Sequence, residues 1–465
     1  MPTRLEADYL IIGAGAMGMA FADTLIAETN ATAIIVDRYH QPGGHWNTAY
    51  PFVRLHQPSS FYGVNSRPLG SDTIDRTGWN EGLYELATNG EVCAYFDQVM
   101  QQQLLPTGRV SWFPMCEYQG ESRFRDFAGT DHEVTVHRRI VDATYMRVTV
   151  PSMRRPPYEV APDATCVPLN DLPKTRKRHD RHAIVGAGKT GMDACLWLLR
   201  HGIDPADLTW IMPRDSWLLD RAIIQPGPAF AESVVAGFVA QNKAIAEATS
   251  IDDLFSRLNA AGRLLRLDDD IRPTMYRCAT VSRLEFDQLR RLKNIVRLGR
   301  VQRIEGRALT LDGGTIATTP DTVYIDCSAD GLAQRPVTPV FDGQTMTLQT
   351  VRTCQQVFSA AFIAHVEASY DDDATKNTFC TPVPHPDTDL DWLRTTAANN
   401  RNQMRWSEDD GLLAWLAAAR LNGFRGRSAP LPADTAARAQ ALEAIRVNLR
   451  AMIAKLDDLL ARAAG

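Results

Sequence analysis

The sequence predicts an α/β protein built on two Rossmann-like units, one inserted into the other, plus a helical C-terminal segment. Three observations predict it. A glycine-rich turn joins an apolar strand to a helix near the N-terminus, a second such turn recurs mid-chain, and helical periodicity runs through the tail. The first unit reads as strand 8–12, helix 17–28 and strand 32–36, and the second as strand 183–185, helix 190–201 and strand 208–212. Between them, 147–181 carries Pro151, Pro156, Pro157, Pro162, Pro168 and Pro173 and reads as an interdomain linker. Its basic run, Lys174, Arg176, Lys177 and Arg178, reads as a solvated connector.

Further on, short strands are expected at 301–304, 308–311 and 322–325, with Asp312-Gly313-Gly314 as a hairpin signal after the second. They close the inserted domain and lead the chain back to the first sheet. The tail is helical over 411–421 and 435–463. Its seam of Leu442, Ile445, Leu449, Met452, Leu456 and Leu459 favours packing on the chain's own core and leaves a homodimer open. The expected division is 1–170 for the first part of the first domain, 171–320 for the insert, 321–400 for the return and 401–465 for the helical segment.

A length of 465 residues suits two or three domains at roughly 100 to 200 residues each. Fifty Lys plus Arg against 55 Asp plus Glu leave a charge of −5, with 45% apolar residues. That balance excludes a general attraction for nucleic acid or anionic membrane, and a disordered chain. The eight cysteines include no C-x-x-C pair, which argues against a disulfide framework, a zinc ribbon and a sequence-local dithiol, and for a reducing cytoplasm. Residues 9–27 are apolar enough to mimic a signal anchor, but Glu6 and Asp8 spoil its positive flank and glycines interrupt it. No histidine spacing suggests a metal site.

The first turn reads Gly13-Ala14-Gly15-Ala16-Met17-Gly18, and Asp37 ends the next strand nineteen residues later. Gly13 permits a tight turn, Gly15 admits a pyrophosphate against backbone, and Gly18 lets helix and strand pack closely. Free N–H groups at the helix start would hold phosphates, and Asp37 the ribose. Gly186-Ala187-Gly188-Lys189-Thr190-Gly191 repeats the pattern, so two dinucleotides are expected. It lacks the spacing of a phosphate loop of the G-x-x-x-x-G-K-[ST] type. Arg214 follows the next strand where the 2′-phosphate of NADPH would lie; the alternative is that Asp215 holds the ribose of NADH.

Taken with Gly43-Gly44-His45-Trp46 and the segments Ile140-Val141-Asp142-Ala143-Thr144-Tyr145 and Asp321-Thr322-Val323-Tyr324-Ile325-Asp326-Cys327-Ser328, these motifs resemble the flavin-containing monooxygenase group of two-dinucleotide flavoproteins. The resemblance spans residues 7 to 330. It implies an FAD-binding domain with an inserted NADPH-binding domain. On that resemblance FAD would be held by Gly13, Gly15, Ala16, Met17, Gly18, Asp37, Arg38, Gly44, His45 and Trp46, and NADPH by Gly186, Gly188, Lys189, Thr190, Gly191 and Arg214. Tyr145 and Ala329 stand where the group usually has glycine, and its F-x-G-x-x-x-H fingerprint is missing.

The implied activity is a flavin monooxygenase that inserts one atom of O2 into a small molecule through a flavin hydroperoxide. Gln57, where the group often has Asn, would hydrogen-bond the distal peroxide oxygen, and His56 or Arg54 would stabilise developing negative charge. Met346, Leu348, Gln349, Arg352 and Gln355 are expected near the substrate pocket. Two other classes stay open: a reductase passing electrons to a quinone, a ferredoxin-like protein or a dithiol formed by distant cysteines such as Cys327 and Cys354, and a non-catalytic dinucleotide sensor.

Overall fold

The computed structural model describes residues 2–175, 179–329, 335–423 and 431–464. Strand Thr3–Ile12 ends in a run buried on both faces, as a central parallel strand requires. It pairs in parallel with Ala33–Val36 on one side and Asp131–Asp142 on the other. The sheet continues in parallel to Val110–Phe113 beyond the former and Thr345–Thr347 beyond the latter, and an antiparallel hairpin, Cys116–Gly120 with Arg123–Asp126, is attached to Asp131–Asp142. The first strand starts well before residue 8 because Thr3 already pairs with His132. Helix Ala16–Glu28 packs on helix Gln356–Ser369, with Phe21, Leu25, Phe358 and Phe362 buried in one core.

The second sheet is parallel throughout, in the order Ile295–Val296, Leu208–Ile211, Arg181–Val185, Thr322–Asp326, Thr165–Pro168. Helix Lys189–Arg200 packs against it through Cys195, Leu198 and Leu199, in a core shared with Trp210 and Phe286. Thr322–Asp326, which follows the boundary expected at residue 320, thus runs inside the second sheet. The return to the first sheet is made by Phe341–Asp342 and Thr345–Thr347. The stretch 147–181 is more than a linker. Thr165–Pro168 forms an edge strand of the second sheet, and Glu159–Val160 pairs with Val301–Glu305. Proline content hid both, since an edge strand tolerates a missing N–H. Arg176, Lys177 and Arg178 lie outside the described residues.

The hairpin signal marks a two-residue turn, with Leu311 paired to Gly314, and a strand the sequence reading did not assign, Gly314–Ala317, follows it. The tail forms helices Asp410–Ala418 and Thr435–Ala464. Met452, Leu456 and Leu459 of the last helix bury against Trp392 and Leu393 of helix Asp389–Trp406 and against Phe255. The seam therefore packs on its own chain, and Ile445 is left 43% exposed. Among the described residues no helix is long and apolar enough to cross a membrane.

Leu456 is fully buried at this junction. Leu456→Ala should cost about 2–5 kcal/mol, read as a lowered urea midpoint with an unchanged slope.

Candidate functional site

Both glycine turns are built the same way. Gly13 N–H donates to the Val36 carbonyl at 2.8 Å and Gly186 N–H to the Ile211 carbonyl at 3.1 Å, so each loop is closed by the end of its neighbouring strand. Both residues have positive φ, +102° and +122°. A Cβ on Gly18 would lie 2.0 Å from the Gly13 carbonyl oxygen, and one on Gly191 2.1 Å from the Gly186 oxygen, so the third glycine of each motif is required by the fold. The second glycines differ. A Cβ on Gly15 would meet nothing nearer than 3.6 Å, and one on Gly188 nothing within 4 Å. Each motif thus leaves an open place beside a helix start that has no side-chain cap, a natural anion site.

The Gly43-Gly44 segment crosses the first loop. Gly43 N–H donates to the Ala14 carbonyl at 2.8 Å, and a Cβ on Gly44 would lie 2.8 Å from the Gly15 Cα. Asp37 accepts from Ala14 N–H at 2.6 Å and Tyr39 N–H at 2.9 Å; burial pushes its pKa up, opposed by these donors. Two carboxylate oxygens offer further lone pairs, so a ribose hydroxyl is still accommodated. The Trp46 indole donates to Tyr62 Oη at 2.8 Å, inside the wall.

In the second motif Lys189 pairs with Asp193, which also accepts from Tyr50 Oη at 2.5 Å. The Trp210 indole, fully buried, donates to the Gly186 carbonyl at 2.9 Å and so braces the loop from beneath. Arg214 and Arg277 converge on Asp387, at 2.9 and 2.6 Å. Asp215 is buried and held by Arg297 at 2.8 and 3.0 Å.

One cavity of about 1340 Å³ joins the two motifs. A pocket for a single drug-sized ligand is roughly 300–1,000 Å³, so this space admits more than one. Of the residues picked out from the sequence, Gly13, Gly15, Ala16, Met17, Asp37, Arg38, Gly44, His45 and Trp46 line it, as do Gly188, Lys189 and Thr190, and Arg54, His56 and Gln57. Gly18, Gly186, Gly191 and Arg214 are not part of the lining. Arg352 and Gln355 reach the cavity, whereas Met346 and Leu348 are fully buried in the core and Gln349 donates to the Thr338 carbonyl at 2.8 Å.

The 54–57 segment is held from the other body of the protein. Arg221, fully buried, donates from Nε to the His56 carbonyl at 3.0 Å, from Nη1 to Asn80 at 2.9 Å and from Nη2 to Glu285 at 2.7 Å. Burial, with Lys189 and Arg221 adding to it, holds His56 well below the ordinary histidine value, and burial with Arg277 does the same to His385. His56 is therefore a neutral imidazole near neutral pH, and its Nδ1 meets no partner among the described residues. The positive charge of this segment comes from Arg54, which is exposed to the cavity.

Arg277, His385, Cys278 and Cys354 also line the cavity, as do Phe238, Ile245, Leu449 and Met452 from the helices. None carries a local motif. Only folding brings them together, although the apolar periodicity of the last helix marked Leu449 and Met452.

No family model matches the chain. Over 418 residues it is 64% identical to the uncharacterized protein Rv2000 of Mycobacterium tuberculosis, a match covering 90% of this chain and 78% of that one, and it matches the uncharacterized protein Mb2023 of Mycobacterium bovis to the same extent. The chain belongs to the family of these mycobacterial proteins. Solved structures of similar outline include a closed cyclohexanone monooxygenase, 13% identical with 98% of each chain covered and a TM-score of 0.48. A flavin-containing monooxygenase from Stenotrophomonas maltophilia is 15% identical, covering 81% of this chain and 99% of that one, with a TM-score of 0.45. Likenesses this distant carry no functional weight.

Replacing Arg221 with Met would strand Glu285 and the His56 carbonyl, and should cost about 3–5 kcal/mol in urea unfolding. Lowered histidine values mean that, as pH falls through the ordinary value of 6.5, the unfolded chain takes up protons that the folded chain refuses. Stability should fall between about pH 7 and about pH 5, and a His56→Gln, His385→Gln double variant should show a shallower fall in urea midpoint over that window.

Proposed function

We propose that this chain is an FAD- and NADPH-dependent oxidoreductase and, within that class, a monooxygenase that inserts one atom of O2 into a small molecule. One observation carries the reading: two glycine cradles, each with its second glycine bare, open into a single cavity of about 1340 Å³. Gly13, Gly15, Ala16, Met17, Asp37 and the Gly44 crossing would hold FAD, and Gly188, Lys189 and Thr190 the pyrophosphate of NADPH. Bound flavin supplies hydride acceptance from nicotinamide and reaction with oxygen.

The chain's own residues position and shield. Arg221 holds the His56 carbonyl and so sets Gln57 and Arg54 at the cavity wall, where Gln57 offers a neutral amide donor and Arg54 a charge. NADPH is favoured over NADH because Asp215, the alternative ribose acceptor, is gripped by Arg297. Arg214 and Arg277 both pair with Asp387, and Arg277 rather than Arg214 faces the cavity, where it is the cation placed to meet a 2′-phosphate. The apolar wall from Phe238, Ile245, Leu449 and Met452 suits a substrate with a substantial apolar part. A reductase that hands electrons to another acceptor is supported by a different feature, the cysteine pair Cys278 and Cys354 in the same wall.

Purified protein should bind FAD and turn yellow, and anaerobic NADPH should bleach it. Readmitting isotopically heavy O2 with a thioether or a cyclic ketone as probe should give labelled product. Anaerobic NADPH oxidation stimulated by a probe with a substitute acceptor would instead favour the reductase. Gly15→Ala and Gly188→Ala should both fold, the former losing tight FAD and the latter keeping FAD while the KM for NADPH rises at least about tenfold, a loss of about 1.4 kcal/mol.

A further inference from the structure

Six of the eight cysteines are free thiols, and the remaining two, Cys278 and Cys354, form a disulfide across 76 residues of sequence with Cα atoms 6.6 Å apart. Cys354 therefore meets Cys278, not Cys327, which touches the same cavity at another point and is almost wholly buried, its thiol pushed up by burial. The bond joins separate parts of the molecule. Cys278 lies in strand Met275–Val281, paired in parallel with Ser216–Asp220 outside both large sheets. Cys354 lies two residues before Gln356–Ser369, the helix packed on Ala16–Glu28 of the first domain.

Three features separate this bond from an inert structural bridge. Both cysteines line the large cavity and are partly exposed to it, so a reductant reaches the sulfurs by the route a substrate would use, while Cys327, which also touches the cavity, is only 2% exposed and Cys195 and Cys380 are buried. Both have left-handed backbone, φ +54° and +56°, in a chain where the described non-glycine residues with positive φ number six. Such backbone is strained for residues other than glycine, and such positions cluster where function requires them. Finally, a lone bridge among six thiols is not the dense framework of a small secreted scaffold; bonds of this kind inside cells are mostly transient, catalytic or sensing.

We propose that Cys278 and Cys354 form a reversible thiol–disulfide site in the cavity wall, whose reaction partner is a small dithiol. A thiolate of the reductant attacks one sulfur of the bond, forming a mixed disulfide and releasing the other cysteine as thiolate. The second thiol of the reductant then displaces the first cysteine. The protein gains two electrons and two protons as two thiols, and the reductant leaves as its own disulfide. Reduction unties strand Met275–Val281 from the segment ahead of Gln356–Ser369, so the state of the bond bears on the wall that the two nucleotide loops share. None of this depends on bound flavin.

Protein purified in air, denatured and alkylated without reductant should yield the 278 and 354 peptides linked and unmodified by mass spectrometry. Treating the native full-length protein with dithiothreitol before alkylation should take both residues from almost no labelling to nearly complete labelling, with Cys195, Cys327 and Cys380 unlabelled. Removing the reductant in air should restore the link. Cys278→Ser should make Cys354 alkylate with no reductant present. Two free thiols in the air-purified protein, or a link that yields to dithiothreitol only after denaturation, would overturn the proposal. A parallel sample with FAD and NADPH but no dithiothreitol separates the sources of electrons: labelling there supports the site and makes flavin a second reductant. Failure of FAD to bleach in that sample counts against the flavin reading alone, since the dithiothreitol arm stands without it.

Discussion

Two close approaches of backbone to backbone underlie this molecule: the Gly18 Cα against the Gly13 carbonyl, and the Gly191 Cα against the Gly186 carbonyl. With any side chain there, each helix would have to move off the strand before it, and its free N–H groups would no longer point at the loop. The surrounding parts are arranged around that contact. Val36 and Ile211 close the loops with their carbonyls, Asp37 and Trp210 brace them from the side and below, and the Gly43-Gly44 crossing seals the first. The second glycines stay bare because nothing in the fold needs that space.

The cavity is a property of how the two bodies meet. Arg221 reaches from the inserted body to the carbonyl of His56 in the first, and its charge is balanced by Glu285, so the segment bearing Arg54, His56 and Gln57 takes its place only when both bodies are folded together. A buried ion pair of this kind adds little net stability but fixes a unique arrangement, and breaking one half leaves an uncompensated charge. The same junction carries the Tyr50 to Asp193 hydrogen bond and the Cys278–Cys354 bond. Positioning and redox state thus act on one wall, which links the proposed oxidoreductase chemistry to a thiol-sensitive fastening.

Much of the fold was legible because its signals are local. Glycine spacing, the apolar strands before each loop and the three- and four-residue alternation of the last helix all follow from backbone geometry within a few residues. Signals failed where pairing partners are remote. Thr165–Pro168 and Glu159–Val160 looked like linker because an edge strand of two to four residues with proline has no periodicity to show. Met346 and Leu348 looked like pocket residues, yet the return to the first sheet buries them.

The sequence by itself determined the two glycine loops, the order of their strands and helices, and the places where glycine is obligatory, since each depends on contacts between residues near one another in the chain. Only the tertiary structure decided which cation faces the cavity, that Asp215 is taken by Arg297, that Arg221 holds His56, and that Cys278 meets Cys354. Those outcomes join residues roughly 75 to 165 apart or depend on which side of a packed element a side chain emerges, and no local spacing encodes either.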